Sequence, residues 1–83
     1  MSDTVHDALR SILAEDLDLE VSAITDDARL IDDLGLDSVA IAIGVVAIEE
    51  RLGVKLSEKE IFESATVADL EDRIRAKVAG VAG

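Results

Sequence analysis

Ten consecutive residues, Val39-Ala40-Ile41-Ala42-Ile43-Gly44-Val45-Val46-Ala47-Ile48, carry no charge and no side-chain hydrogen-bonding group. They follow Asp33-Leu34-Gly35-Leu36-Asp37-Ser38 and run into Glu49-Glu50-Arg51-Leu52-Gly53. A helix built from them is apolar all round, and such a helix is normally buried on every side. A chain of 83 residues has little with which to wrap one completely. Either the rest of the chain encloses this helix, or part of its surface serves another purpose. At about 100° per residue two stripes appear. Ile41, Val45, Ile48 and Leu52 share one narrow sector, and Val39, Ala42, Ile43, Val46 and Glu50 lie roughly opposite. The first stripe reads as core. The second reads as a contact face for another protein, beginning beside Ser38 and ending in acids. The plain alternative is that both stripes are core.

The length corresponds to one domain, over residues 1–83. At this size folding buries roughly 60–65% of the unfolded surface, so a core is possible but thin. There is no cysteine, which excludes disulfides, thiolate metal sites and a thiol nucleophile of the chain's own. Phe62 is the only Phe, Tyr or Trp, so nothing here stacks on bases. Eight basic residues against nineteen acidic ones give a net charge of −11. That argues against nucleic acid and anionic membranes as partners. It favours basic proteins, reached quickly by electrostatic steering. Met1-Ser2-Asp3-Thr4 does not begin a signal peptide. No apolar run reaches the ~20 residues that span a bilayer. A monomeric cytoplasmic protein is expected.

Helical punctuation is clear along the chain. Asp3 is a candidate cap for a first helix over 4–17, with Val5, Leu9, Ile12 and Leu13 on one face. His6 falls away from that face. Residues 18–37 form a long connection, and such loops are usually pinned or functional. Leu19, Val21, Ile24, Leu30, Ile31, Leu34 and Leu36 are its candidate pins, and a turn is expected at 25–28. Asp37 is a good N-cap and Gly53 a good C-terminal stop for a second helix over 38–52. Ser57-Glu58-Lys59-Glu60 is a capping box opening a short third helix that carries Ile61 and Phe62. Thr66-Val67-Ala68-Asp69 opens the last helix in the same way, with Val67, Leu70, Ile74 and Val78 on one face. Residues 79–83 are small and expected to fray. No strand pattern is visible.

Few residues could carry chemistry. His6 is the only histidine and reads as a solvated surface residue. Between Glu15 and Asp37 nine acids face one base, Arg29. Asp16-Leu17-Asp18-Leu19-Glu20 begins like a calcium loop, but Val21 stands where the sharp turn needs glycine and Asp27 where a bidentate Glu belongs. No specific metal site is expected; the alternatives are loose divalent-ion binding by the clustered acids and a plain solvated acidic face. The glycines are scattered and form no phosphate loop. Nothing reads as an active site, so the chain is not expected to be an enzyme. Ser38 is different from other helix-start serines in its setting. Its hydroxyl lies where backbone N–H groups and the helix dipole favour a phosphate ester, and where an acidic loop meets an apolar helix face.

Gly35-Leu36-Asp37-Ser38, preceded by Asp32-Asp33-Leu34 and followed by an apolar helix ending Ile48-Glu49-Glu50-Arg51-Leu52-Gly53, resembles the acyl carrier proteins, the phosphopantetheine-binding carriers. The likeness covers nearly the whole chain. Residues 24–28 resemble the family's loop segment, and 61–70 its third helix and the start of its fourth. The motif is short, and its specificity comes from the helical frame and chain length around it.

The resemblance implies that Ser38 accepts a 4′-phosphopantetheine arm from coenzyme A, through a phosphopantetheinyl transferase that uses Mg²⁺. Acyl groups would ride as thioesters on the arm's thiol, the group this cysteine-free chain lacks. Ser38 would be a substrate of modification and not a catalyst. Asp37 would help place the transferase and its metal. Ile41, Val45, Ile48, Phe62 and Leu70 would line a pocket for the acyl chain, with plain core as the alternative. Acyl-loading and acyl-transferring enzymes with basic docking patches would meet Val39, Ala42, Ile43, Val46, Glu49 and Glu50. One departure matters: Ala40 and Ile43 stand where carriers of bacterial fatty acid synthesis usually show acids. A dedicated carrier for polyketide, lipopeptide or acylated siderophore assembly is implied. The chain is especially similar to stand-alone carriers that hand a fatty acyl chain to siderophores of the mycobactin type. The expected fold is an all-α four-helix bundle of acyl-carrier type, with a short third helix and a long loop between the first two. The rival reading is a small acidic helical interaction module without a prosthetic group.

Overall fold

The computed structural model describes residues 4–82, with side chains to residue 78. The candidate cap Asp3 and the terminal Gly83 lie outside the described residues. Within them stand four α-helices: α1 (Thr4–Ser11), α2 (Ser38–Leu52), α3 (Glu58–Glu63) and α4 (Val67–Ala82). This is the all-α architecture expected, with a short third helix and the long connection between α1 and α2.

The expected first helix is α-helical only to Ser11 and then widens into a π-helical turn over Ile12–Asp16. There the Leu17 N–H donates to the Ile12 carbonyl, five residues back, at 3.1 Å. Asp18 takes a left-handed conformation with φ 55°, and the Leu19 N–H reaches the Leu13 carbonyl at 3.1 Å. That six-residue bond is how a helix end satisfies its last carbonyls, and aspartate tolerates the left-handed region better than most residues.

The connection lies against the helices through Ile24, Ala28, Leu30, Leu34 and Leu36, all buried. Two expected pins are not pins: Val21 and Ile31 are exposed. Val21 opens a single 3₁₀ turn, Val21–Ala23, that buries none of its residues. Backbone bonds hold the rest. Arg29 pairs with Thr66 as an isolated antiparallel bridge. The Leu30 N–H donates to Ala65, Val67 to Ala28 and Ala68 to Asp26, at 3.0–3.1 Å. The loop is thereby stitched to the joint between α3 and α4. This pairing is the only strand-like feature among the described residues.

Local chemistry sets the helix ends. The Asp37 carboxylate accepts from the Ala40 N–H at 2.8 Å, and Gly53 closes α2 at φ 67°, where a side chain would be strained. Ser57 Oγ accepts from the Glu60 N–H at 3.2 Å. The Glu60 carboxylate does not complete the box; it pairs with Lys77 at 3.1 Å and ties α3 to α4. Thr66 and Asp69 form a complete reciprocal box, at 3.2 and 3.3 Å. α4 stays helical to Ala82, where fraying was expected. Alanine is the strongest helix former, and no proline interrupts.

Leu9, Ile12, Leu13, Leu30, Ile41, Ile48, Val54, Val67 and Ile74 form the innermost core. α1, α2 and α4 contribute to it, as does the connection, and α3 packs Ile61 against it. None of the helices is long and apolar enough to cross a membrane.

Candidate functional site

α2 separates into the two faces its sequence suggested. Ile41 and Ile48 are buried, with Val45 and Leu52 half-buried at the edge of the core. Gly44 and Ala47 are buried beside them. On the other side Val39 is 68% exposed, Ile43 44% and Val46 55%. The surrounding chain is too short to enclose the helix. Ala42 is half-buried, and Glu49 and Glu50 are exposed at the far end. Isolated exposed apolar residues are ordinary; here three stand in a row along one helix face. The row borders a shallow groove of about 460 Å³ lined by Asp16, Ala42, Ile43, Val46, Ala47 and Glu50. Asp16 reaches it from the turn after α1 and is paired with Arg51 at 3.8 Å.

Ser38 begins this helix and is exposed. Asp37 beside it is also exposed, with Oδ1 on the Ala40 N–H. A bulky phosphodiester on the Ser38 hydroxyl would therefore project into solvent, at the end of α2 where the dipole favours negative charge. The residues present fit a phosphopantetheine group on that oxygen: an enzyme can approach it, and nothing need unfold.

Beneath α2 lies an enclosed apolar crevice of about 10 Å³. Ile41, Ile48 and Leu70 meet there, together with Gly44, Leu17 and Ile61. Space of that size is at the limit of a single water molecule. Val45 is not among its lining residues, and Phe62 stands outside altogether, 50% exposed. On the six-residue α3, Ile61 takes the inward position. The next residue is rotated by about 100° and faces out. Phe62 instead borders a surface groove of about 310 Å³ with Ile31, beside the stitched joint of the connection and α3–α4.

His6 is not simply solvated. Its Nδ1 lies 2.9 Å from Glu71 Oε1 on α4, and Glu71 is 7% exposed. A buried carboxylate needs compensating partners. Arg75 supplies a second, at 2.8 Å from Oε2. Nearby, Arg10 donates to the Ile24 carbonyl and to Asp26. His6, Asp26 and Glu71 are the three metal-ligand-type side chains that converge among the described residues. Guanidinium groups already bond both carboxylates, so the cluster acts as an ionic clasp between α1, the connection and α4. Among the described residues, the other acids from Asp16 to Asp27 form no comparable group.

The Phosphopantetheine attachment site family model matches residues 7–74, a span that includes Ser38. The chain is 58% identical over 74 residues to "Acyl carrier protein MbtL" of Mycobacterium bovis, covering 89% of this chain and 88% of that one. It is 52% identical over 77 residues to the protein of the same name from Mycobacterium sp. (strain MCS), covering 93% and 86%. It is 34% identical over 74 residues to "Acyl carrier protein" of Thermotoga maritima, covering 89% and 91%.

Proposed function

Because this chain belongs to the acyl carrier proteins, we propose that Ser38 is the residue that bears its phosphopantetheine arm. The protein is a carrier and not a catalyst: acyl groups travel as thioesters on 4′-phosphopantetheine, between enzymes that load and unload them. The observation that carries the assignment to Ser38 is its exposed hydroxyl as the first residue of α2, at the head of the exposed apolar row. The group when bound supplies the thiol. The chain's own residues expose the attachment oxygen, cap the helix beneath it and present the docking face.

In this reading Asp37 has two tasks. One carboxylate oxygen holds the Ala40 N–H, and the charge of the group helps seat the transferase and its Mg²⁺. Val39, Ala42, Ile43, Val46, Glu49 and Glu50 form the partner face. A net charge of −11 draws in enzymes with basic docking patches. Loaded acyl chains enter between Ile41, Ile48 and Leu70 only if the crevice widens, since about 10 Å³ holds no hydrocarbon chain. The carrier is a monomer of the cytoplasm, formed by residues 1–83 as one domain. The apolar partner face favours a dedicated pathway, the assembly of a lipidated siderophore of the mycobactin type, over general fatty acid synthesis.

The test is an intact-mass measurement after incubation with coenzyme A, Mg²⁺ and a broad-specificity phosphopantetheinyl transferase. Wild type should gain one phosphopantetheine and Ser38→Ala none. Folded wild type that gains nothing, or Ser38→Ala that gains as much, overturns the assignment.

A further inference from the structure

We propose that Gly44 is a cargo-selecting residue: its missing side chain sets how much acyl chain fits beneath α2, and the Leu17 side chain is the wall that yields. The inference rests on the assignment of the arm to Ser38.

The fold itself does not explain Gly44. It is buried in the interior of α2, where glycine is less stable than alanine. No left-handed backbone requires it, unlike Gly35 and Gly53. No close contact requires it either, since a Cβ there would meet only Leu17 Cδ1, at 4.0 Å. Packing alone would therefore favour alanine. A buried glycine with room to spare leaves bare backbone for another molecule to approach.

That bare backbone faces the enclosed crevice, which Gly44 lines with Leu17, Leu36 and Ala40. Leu36 and Ala40 stand two residues to either side of Ser38, at most ~7.6 Å from it by Cα spacing. Gly44 follows one turn beyond Ala40 on the same helix face. Every residue lining the crevice is apolar. A saturated, unbranched acyl chain suits such walls, whereas a hydroxyl or amide would lose its hydrogen bonds to water there.

The crevice holds only about 10 Å³, so one wall must move to admit a chain. Leu9, Ile12, Leu13, Ile41 and Ile48 are fixed, at 0–2% exposure. Leu17 is only half-buried and packs at the edge of the core. It closes the π-helical turn, with its N–H on the Ile12 carbonyl. A leucine at a helix end and partly in solvent can change rotamer at small packing cost. Swinging it outward opens space over Gly44, where no Cβ stands in the way.

The test loads wild type, Gly44→Ala and Leu17→Ala with butyryl, octanoyl or palmitoyl phosphopantetheine from the matching acyl-coenzyme A, using the transferase. Intact mass is read first: folded wild type that gains nothing refutes the assignment to Ser38, and this proposal with it. With loading verified, octanoyl wild type should melt higher than butyryl wild type by at least ~4 °C, about what one sheltered methylene is worth in a domain of this size. Nuclear Overhauser contacts should join the octanoyl methylenes to the Gly44 α-protons and the Leu17 methyls. Gly44→Ala should be the more stable protein before loading and yet gain less from octanoyl. Leu17→Ala should extend the gain to palmitoyl. An octanoyl gain that is absent in wild type, or undiminished in Gly44→Ala, overturns the proposal and leaves the carrier assignment intact. So does an octanoyl chain that makes no contact with the Gly44 α-protons.

Discussion

The exposed apolar row on α2 is best tested by Ile43→Glu. Ile43 is 44% exposed, whereas Ile41, two residues earlier, is 1% exposed. Full burial of an isoleucine side chain is worth ~1.5–3 kcal/mol, so about half of that is at stake at residue 43. Glutamate keeps its methylenes on the surface with its charge in water. It is also a few tenths of a kcal/mol better than isoleucine in a helix. The net loss should be about 1 kcal/mol, which in a domain of this size lowers Tm by ~4–8 °C. Ile41→Glu places the same charge in the core, where burial without a partner costs several kcal/mol. Total stability of a native domain is only ~5–15 kcal/mol, so that variant should be largely unfolded. Thermal melts followed by circular dichroism compare the two directly. A collapse of Ile43→Glu comparable to Ile41→Glu would refute the separation of α2 into a core face and a free face. With the fold retained, Ile43→Glu should weaken acyl transfer to the partner enzymes while the arm remains attachable.

Three further outcomes follow from particular contacts. Asp37→Ala removes the N-cap of α2 and should cost ~1 kcal/mol by chemical denaturation, whereas Asp37→Asn keeps a good cap and should cost much less. If the carboxylate's charge also seats the transferase, Asp37→Asn should be modified more slowly at nearly unchanged stability. Gly44→Ala should raise stability by ~0.5–1 kcal/mol, because alanine is the better residue in a helix interior. A Cβ at Gly44 would meet only the Leu17 side chain, at an ordinary 4.0 Å. A fall in Tm would show that the crevice tolerates no added methyl. Glu71→Ala leaves His6 and Arg75 without their shared carboxylate and should cost ~1–3 kcal/mol in a denaturant melt. An unchanged midpoint would show that the clasp contributes nothing.

What was legible in the sequence was mostly local. Asp37, Gly53, Ser57 and Thr66 bracket their helices as expected, because a cap involves neighbours three or four residues apart. The two faces of α2 were legible because fifteen residues give more than four turns over which a stripe can be read. α3 has only six residues, and there periodicity cannot decide between Ile61 and its neighbour. Phe62 was therefore placed inside when it lies outside. The link from His6 to Glu71 spans 65 residues and depends on how α1 packs on α4, which no local pattern encodes. Nothing in the sequence singles out Glu71 from Asp69 and Asp72 beside it on the last helix. The pairing of Arg29 with Thr66 is a backbone contact and leaves no side-chain signature. It decides which loop residues are pinned and which, like Ile31, are left on the surface.

The most direct measurement is a thiol titration of the folded protein. The chain has no cysteine, so before treatment it should show no thiol at all. After coenzyme A, Mg²⁺ and transferase, followed by removal of excess coenzyme A, wild type should approach one thiol per chain and Ser38→Ala should stay at zero. A wild type that remains thiol-free, or a Ser38→Ala variant that acquires the same thiol, would contradict the account.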